Sequence, residues 1–344
     1  MIHFDCDYMA GAHPDVLELL VKTNLQKTTG YGQDPYTLKA ERIILDLCGL
    51  SKGRVWMMQG GTQTNKTVID RLLSRNDGAV CTDIAHINVH EAGAIEADGH
   101  KVIPLRSTSG KLSGMQIKEY VESFYKDDTH IHMVRPAMVY ISHPTELGTL
   151  YSLDELTEIS RVCRQLHIPL YVDGARLAYS LGSPENDIAL QDLARLADVF
   201  YIGGTKCGAL FGEAVVTSRP ELLPRFESVM KLQGALLAKG RLTAVQFIAL
   251  FQNGLYERIG HEAVALAKRL KDGVLSRGYQ TLIDSPTNQQ FFIFPNTLVD
   301  SLLTDVGFEY WGPRGEFESA VRFVTDWTTT AEEVDILLEM IPRK

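Results

Sequence analysis

A lysine and an aspartate each follow an apolar, strand-like run of this sequence. Residues 170–172 lead into Asp173-Gly174-Ala175-Arg176, and residues 199–202 lead through a glycine pair to Lys206. Small neighbours shield such a lysine from water, and desolvation lowers its pKa, which supplies the free amine that forms an imine with an aldehyde. A strand-end aspartate can keep a ring nitrogen protonated and so create an electron sink. Together the two motifs predict an enzyme that uses pyridoxal 5'-phosphate, with Lys206 and Asp173 as catalytic residues.

Each of these residues also has an ordinary structural alternative. Asp173 could cap a turn or pair with Arg176, and Lys206 could be a solvated lysine in a glycine loop. The spacing of the two motifs, both at the ends of strands in one predicted sheet, favours the catalytic interpretation, because ligands collect where parallel strands end.

A third motif has the character of an anion site. In Gly60-Gly61-Thr62-Gln63-Thr64-Asn65 a strand gives way through paired glycines to a helix. The free N–H groups and the dipole of a helix N-terminus favour a phosphate. The alternative is a plain glycine turn in which Thr62 or Thr64 caps the helix.

Short apolar runs alternate with helical spacing through most of the chain, which is typical of βαβ units. The predicted strands are 54–58, 79–82, 101–105, 138–142, 170–172, 199–202 and 214–217, and the predicted helices between them include 63–74, 113–125 and 153–166. Ser152 and Glu155 form a capping-box pattern before the last of these helices. The sequence therefore predicts a three-layer α/β fold with a mostly parallel seven-stranded sheet.

The pattern changes after residue 240. A long helical stretch over 241–277 is followed by strands at 290–294 and 320–325 and a closing helix at 330–340. We expect an N-terminal arm (1–15), a large cofactor-binding domain (16–240) and a small C-terminal α+β domain (241–344).

Composition excludes several classes of protein. The net charge of −9 is spread along the chain without a lysine or arginine block, so nucleic acid is not expected as a partner. The sequence contains no membrane-length apolar run, and its first residues, MIHFDCDYMA, are acidic where a secretory signal is basic, which predicts a cytoplasmic protein without membrane contact. Five widely spaced cysteines favour neither disulfides nor a thiolate metal site.

Five motifs, in order along nearly the whole chain, resemble those of the threonine aldolase family. They are GGTQTN at 60–65, HINVHEAGAIE at 86–96, VDGAR at 172–176, GGTKCGALFGEAVV at 203–216 and VRFVTDW at 321–327. This family belongs to the β-eliminating lyase and threonine aldolase group of fold-type I pyridoxal phosphate enzymes. The resemblance implies the same fold and the same cofactor.

The resemblance also implies roles for individual residues. Lys206 would carry the cofactor as a Schiff base, Asp173 would bind its ring nitrogen and Arg176 would lie near its phenolic oxygen. His86 would stack on the ring, and Gly61, Thr62 and Gln63 would hold the phosphate, with Thr205 in the same site. Arg322 would bind the substrate's carboxylate as a bidentate partner, or, alternatively, be a surface arginine.

Two segments depart from the family pattern. Where many aldolases have a histidine that can act on the β-hydroxyl, simple alignment places Thr145, with His143 two residues earlier. Thr145 is assigned to the substrate side of the site, but its hydroxyl is too weakly basic to replace an imidazole. His86, acting through water, is the expected base. The second departure is Cys6-Asp7-Tyr8, where the family has Ser-Asp-Thr, so a different substrate-side wall is expected.

His86 and His90 form an HxxxH pair that could bind a metal if further ligands converged. The sequence offers no third ligand, so no metal is predicted, and His90 is expected to be a hydrogen-bonded helix residue.

The resemblance further implies shared active sites in a homodimer or homotetramer. Tyr31, in Tyr31-Gly32-Gln33-Asp34-Pro35, looks like the segment that reaches a neighbour's substrate site. Lys231 and Lys239 resemble the basic loop that meets a neighbour's cofactor phosphate.

The leading hypothesis is cleavage of the Cα–Cβ bond of β-hydroxy-α-amino acids, such as threonine or allo-threonine, to glycine and an aldehyde. Another pyridoxal phosphate reaction, β-elimination or transamination, is the alternative, because the same residues serve it. A binding or regulatory protein that keeps only the fold is the third hypothesis. The set Asp173, Arg176, Lys206 and Arg322 argues against it.

Overall fold

The computed structural model describes residues 1–344. The β-strands are β1 (Ile2–His3), β2 (Arg54–Met58), β3 (Asp77–Thr82), β4 (Lys101–Leu105), β5 (Arg135–Ser142), β6 (Leu170–Asp173), β7 (Val199–Gly203), β8 (Glu213–Thr217), β9 (Gln280–Ile283), β10 (Gln289–Pro295), β11 (Val306–Gly307), β12 (Glu309–Arg314) and β13 (Glu318–Val324). The α-helices are α1 (Pro14–Thr23), α2 (Pro35–Leu47), α3 (Gly61–Leu72), α4 (His86–Val89), α5 (Ala94–Ala97), α6 (Gly114–Lys126), α7 (Leu153–Leu166), α8 (Leu177–Leu181), α9 (Leu190–Leu196), α10 (Phe226–Leu232), α11 (Arg241–Phe251), α12 (Leu255–Leu275), α13 (Asn296–Leu302) and α14 (Ala331–Met340).

The large sheet has seven strands in the order β2-β8-β7-β6-β5-β3-β4. All neighbours are parallel except β8, which runs antiparallel to β2 and β7. Alternate side chains enter two separate cores: Val55 and Met57 of β2 join one, and Trp56 and Met58 join the other. Helices cover both faces, so the predicted three-layer, mostly parallel fold is confirmed.

A four-stranded antiparallel sheet, in the order β12-β13-β10-β9, forms the smaller C-terminal unit. Its core contains Phe292, Phe294 and Phe323, and the N-terminal arm contributes Phe4. The arm is held there because β1 pairs in parallel with β11. Of these strands, the sequence indicated only β10 and β13, so β9 and β12 were missed.

The prediction of one long helix over 241–277 is wrong. Helices α11 and α12 are separated at Gln252–Gly254, where Asn253 (φ 56°) and Gly254 (φ 66°) adopt left-handed backbone. An Asn-Gly pair is a turn signal, and it ends the first helix here. Side chains from Ala244 to Val264 pack in the core of the large sheet, whereas Leu270 and Val274 pack in the small core. Packing therefore changes within α12, and the proposed domain boundary at residue 240 stays a prediction.

Helix α7 begins as the sequence predicts. The Ser152 hydroxyl accepts the Glu155 amide, and the Glu155 carboxylate accepts the Ser152 amide. None of the helices is both long enough and apolar enough to cross a membrane.

Candidate active site

A pocket of about 450 Å³ opens where the strands of the large sheet meet β12 and β13. Most of the predicted site residues line it: Gly61, Thr62, His86, Thr145, Asp173, Arg176, Thr205, Lys206 and Arg322. Gln63, Tyr31 and Lys239 do not. The carboxyl edge of the sheet thus collects residues from motifs far apart in the sequence, as is typical of open α/β folds.

Lys206 follows β7 and is partly buried in this pocket, with its Nζ 6.0 Å from the centre of the Tyr8 ring. Burial lowers its pKa, and the Arg176 guanidinium lowers it further, although Asp7, Asp173 and Glu213 oppose the shift. Gly174, directly after β6, lies so close to strand β7 that a Cβ on Gly174 would clash with the Tyr201 carbonyl oxygen. Glycine at position 174 is therefore required to hold Lys206 beside Asp173.

Asp173 is a buried carboxylate that accepts four hydrogen bonds. Tyr201 (2.6 Å) and the amide of Ala175 (2.9 Å) donate to Oδ1, and Tyr140 (2.6 Å) and Asn65 (3.0 Å) donate to Oδ2. Burial alone would raise the pKa of Asp173, but the phenol donors Tyr140 and Tyr201, together with His86 and Asn65, outweigh it and the net pKa is lowered. The carboxylate therefore stays ionised, as binding of a protonated ring nitrogen requires.

Arg176 forms a two-pronged ion pair with Asp7 of the N-terminal arm. Its Nε lies 2.7 Å from Oδ2 and its Nη2 lies 3.0 Å from Oδ1, and Asn288 also donates to Oδ2 at 3.0 Å. Burial would raise the pKa of Asp7, but Arg176 and Lys206 outweigh it and lower the pKa. The alternative in which Asp173 pairs with Arg176 is wrong, because Asp7 is the partner of Arg176.

Helix α3 begins at the glycine pair. Gly60 is the N-cap and no side chain caps the helix, so the alternative in which Thr62 or Thr64 caps it is wrong. Thr64 donates its hydroxyl to the Gly60 carbonyl instead. The first amides of α3 are therefore free to bind an anion at the pocket, where Thr62 and Thr205 also lie. Gln63 contributes only its backbone, since its side-chain amide points to the Gln233 carbonyl at 3.4 Å.

Glu213, the first residue of β8, is a buried carboxyl group beside Lys206. Its Oε1 accepts the Thr205 hydroxyl at 2.7 Å, and its Oε2 accepts the Gly204 amide at 3.1 Å. Burial raises its pKa to about 8, although Thr205 and Lys206 lower it. At neutral pH this group therefore holds a proton.

His86 begins the four-residue helix α4 and is oriented by a buried carboxylate. Its Nδ1 lies 2.7 Å from Glu91 Oε1, and Asn65 donates to the same oxygen at 2.8 Å. The His90 ring lies 5.7 Å from that of His86, and His90 is the C-cap of α4, with its backbone amide donating to the His86 carbonyl. No group of three or more His, Cys, Asp or Glu side chains is placed to bind a metal ion.

The loop after β5 places the Glu146 carboxyl group on the pocket wall, with one of its two oxygens unbound by other residues. The polar side-chain atoms of Thr145 and His143 are occupied or lie elsewhere. The Thr145 hydroxyl is bound to Thr149 Oγ1 at 2.7 Å. His143 is buried outside the pocket with its Nε2 3.3 Å from Asn186, and burial lowers its pKa to about 4. Glu146 Oε1 accepts the His86 amide at 2.9 Å.

Arg322 of β13 reaches the pocket and is only 11% exposed, so the alternative of a surface arginine is wrong. Its Nη1 donates to Gln289 at 2.9 Å, its Nη2 pairs with Glu309, and its guanidinium carbon lies 5.3 Å from the Trp311 ring centre. Arg322 thus already pairs with one carboxylate, that of Glu309.

Tyr31, Lys231 and Lys239 lie together outside the pocket of their own chain. Tyr31 is 48% exposed, and Lys231 Nζ lies 4.7 Å from the centre of its ring. Lys239 is exposed next to the Ala238 carbonyl that accepts the Tyr31 amide at 3.2 Å.

Several side chains in or beside the pocket have no clear sequence signal. Glu309 and Trp311 lie on the missed strand β12, and Glu146 stands beside the residue on which the alignment focused. Tyr140 and Tyr201 read as strand core residues. Glu91 had a signal, because it stands in the HINVHEAGAIE motif directly after the HxxxH pair.

The pocket fits pyridoxal phosphate. It offers an amine of lowered pKa at Lys206, an ionised carboxylate at Asp173 and the uncapped N-terminus of α3 for a phosphate. His86 provides an aromatic face and Arg176 a cation on the same wall.

Comparison with known proteins gives a consistent result. The family model described as β-eliminating lyase matches residues 5–295. A low specificity L-threonine aldolase from Pseudomonas aeruginosa is 27% identical over 334 residues, which cover 96% of this chain and 94% of that protein.

Solved structures agree with this result. The threonine aldolase of Leishmania major is 38% identical, with a TM-score of 0.95 and coverage of 98% of both chains. A putative L-allo-threonine aldolase from Listeria monocytogenes has a TM-score of 0.77 at 18% identity, covering 98% of this chain and 95% of that one. An aspartate aminotransferase from Thermus thermophilus has a TM-score of 0.72 at 13% identity, covering 99% and 90%. The last two likenesses concern the fold alone.

Proposed function

Because this chain belongs to the β-eliminating lyase family, and within it to the threonine aldolases, we propose that it cleaves β-hydroxy-α-amino acids. The bond broken is Cα–Cβ, and the products from threonine are glycine and acetaldehyde. The observation that carries the proposal is the convergence of Lys206, Asp173 and Arg322 on one pocket. An amine, an ionised carboxylate and a guanidinium are the groups needed to activate and orient an amino acid.

The cofactor is pyridoxal 5'-phosphate, which supplies an aldehyde that condenses with amines and a ring that stabilises the electron pair left on Cα. We assign its phosphate to the amides of Gly61, Thr62 and Gln63 and to Thr205. Lys206 contributes an amine whose pKa is lowered, chiefly by burial. Asp173, held ionised by phenol donors, keeps the ring nitrogen protonated.

Arg322 is assigned to the substrate's carboxylate. A planar guanidinium binds a carboxylate through two parallel hydrogen bonds, which fix orientation as well as affinity. In the absence of substrate, Glu309 pairs with Arg322 and keeps its charge neutralised. Substrate binding therefore replaces one carboxylate partner by another, and the Trp311 ring stays against the guanidinium.

We also propose a homodimer, or a tetramer built from it, with shared sites. The support is the placement of Tyr31 and Lys239, which are exposed and lie outside their own pocket. Both would then reach the site of a neighbouring subunit.

Product analysis tests the proposed reaction. Purified, cofactor-loaded enzyme is incubated with threonine, allo-threonine, phenylserine and serine, and products are identified by mass. We expect glycine and the matching aldehyde from the β-hydroxy substrates. Keto acid and ammonia would instead support the alternative, β-elimination, which the name of the family keeps open.

A further inference from the structure

Glu146 is the carboxyl group of the pocket with one oxygen uncommitted. It lies in the loop after β5, partly buried. Both of its hydrogen bonds reach Oε1, from the His86 amide at 2.9 Å and from the Ser142 hydroxyl at 2.7 Å. No other residue donates a hydrogen bond to its Oε2, which is accessible to solvent. The bound oxygen holds the group in place, and the free oxygen can receive a proton.

Two of the three other carboxyl groups of the pocket are committed, and the third, Glu309, is paired with Arg322 in the substrate-free structure. Asp173 accepts four hydrogen bonds and is the group assigned to the cofactor's ring nitrogen. Glu213 has both oxygens bound to the loop that carries Lys206.

His86 is the competing proton acceptor. Its Nδ1 is bound to Glu91, and its ring is the one assigned to stack on the cofactor. A stacked ring makes contact through its face, whereas a nitrogen lone pair lies in the plane of the ring and points away from that face. The loop that carries Glu146 is also the loop in which the resemblance expected a base.

From this geometry, and resting on the proposed function, we infer that Glu146 is the catalytic base that accepts the β-hydroxyl proton. The O–H bond breaks and its proton moves to Oε2. The electron pair left on oxygen forms the C=O bond of the departing aldehyde, while the pair of the Cα–Cβ bond stays on Cα. Cα then takes up one proton to become glycine, so one proton is removed and one returned in each turnover.

The chemistry of Glu146 suits this task. Burial raises its pKa above the ordinary value, although Ser142 and backbone amides lower it. A base whose pKa approaches the working pH both accepts and releases its proton efficiently.

Three variants of the cofactor-loaded enzyme test the inference: Glu146→Gln, His86→Phe and, as a control, His143→Gln. Glutamine keeps an oxygen for the His86 amide and Ser142 but cannot take a proton. For each variant we would measure aldehyde release from threonine, exchange of the glycine α-proton with D2O by NMR, and glycine affinity from the visible spectrum. Exchange uses Lys206 and the cofactor but needs no base for a β-hydroxyl.

We expect Glu146→Gln to lower kcat for cleavage by about 10²-fold or more, the usual effect of losing a general base. Glycine exchange and glycine affinity should stay close to wild type, and His143→Gln should retain cleavage. A second variant, Glu146→Ala, leaves space for formate, and added formate should restore part of its cleavage.

The inference is overturned if Glu146→Gln cleaves threonine at the wild-type rate, or if it loses exchange and cleavage equally. Selective loss of cleavage in His86→Phe alone would assign the base to His86. If wild-type enzyme exchanges glycine but releases no aldehyde from any β-hydroxy substrate, the proposed function fails instead.

Discussion

At the scale of single residues, two acidic groups flank Lys206 in opposite protonation states. Asp7 is ionised because the cations Arg176 and Lys206 outweigh the effect of burial. Glu213, although close to the same lysine, is dominated by burial, which raises its pKa to about 8. Neutral pH thus leaves one negative and one neutral carboxyl group beside the amine, and this limits the charge that the buried site must stabilise.

The Glu213 assignment predicts a pH-dependent stability. Its pKa of about 8 in the folded protein exceeds the ordinary value of 4.5. Between these values the unfolded chain has released the proton while the folded protein retains it, so stability falls as pH rises, by about 1.4 kcal/mol per pH unit at most. Above about pH 8 the loss is complete.

Glu213→Gln should abolish this loss. Urea denaturation of the cofactor-free proteins measures this. The free energy of unfolding of Glu213→Gln, relative to that of wild type, should increase from pH ~5 to pH ~8. Glu18→Gln, at an exposed position on α1, is the control and should show no such trend. A constant difference between Glu213→Gln and wild type across this range would contradict the assignment.

The sequence was most informative where a residue type is tied to a strand end. Lys206 and Asp173 each follow an apolar strand and have small neighbouring residues. Their presence in one pocket could therefore be predicted. The partner of Arg176 could not, because Asp7 is distant in sequence and reaches it only through the pairing of β1 with β11. The roles of these residues stay predictions.

At the scale of elements, the loop after β5 is fixed by contacts with the small unit. Gly148 has φ +72°, and the hydroxyls of Ser285 and Thr287 both donate to its carbonyl. A Cβ there would clash with Ser285 Oγ and lie 2.8 Å from Thr287 Oγ1. Because Glu146 stands two residues earlier, the position of this loop determines where that carboxylate lies.

Gly148→Ala should therefore affect both stability and catalysis. Gly315→Ala is a matched control, since Gly315 has φ +78° but nothing within 4 Å of a Cβ. The left-handed backbone alone costs about 1–2 kcal/mol, which is the effect expected of the control, with activity unchanged. Gly148→Ala should cost more and lower kcat by about tenfold or more, because misplacement of about 1 Å is costly in catalysis. Equal effects of the two changes on unfolding and kcat would contradict this account.

Strands and helices were predicted correctly from the sequence where the spacing of apolar residues was regular. All seven strands of the large sheet were identified, since buried parallel strands are continuous apolar runs. Strand β12 was missed because EYWGPR contains Gly312 and Pro313 and is largely solvent-facing. Because this strand was not predicted, Glu309 and Trp311 were not predicted as site residues either.

At the scale of the whole molecule, the pocket is built jointly by the large sheet, the small sheet and the N-terminal arm. Lys206 comes from the first, Arg322 from the second and Tyr8 from the third. The placement of Lys239 outside its own pocket extends this arrangement to a neighbouring subunit in our proposal.

Subunit mixing tests that extension. Lys206→Ala and Lys239→Glu subunits are each expected to be nearly inactive alone. When the two variants are refolded together in equal amounts, about half of the dimers are mixed, and one of the two sites in each mixed dimer is intact. The mixture should therefore recover about a quarter of wild-type activity. No recovery in verified mixed dimers would show that Lys239 does not act across subunits.

The central claim is that Lys206 holds pyridoxal phosphate in the pocket described. The most direct measurement is reduction of the purified, cofactor-loaded enzyme with borohydride, followed by digestion and mass mapping of the pyridoxyl group. The account predicts one modified residue, Lys206, in the peptide that contains GGTKCGALFGEAVV, and no labelling of Lys231 or Lys239. A pyridoxyl group on another lysine, or none after reduction of a protein that binds the cofactor, would contradict it.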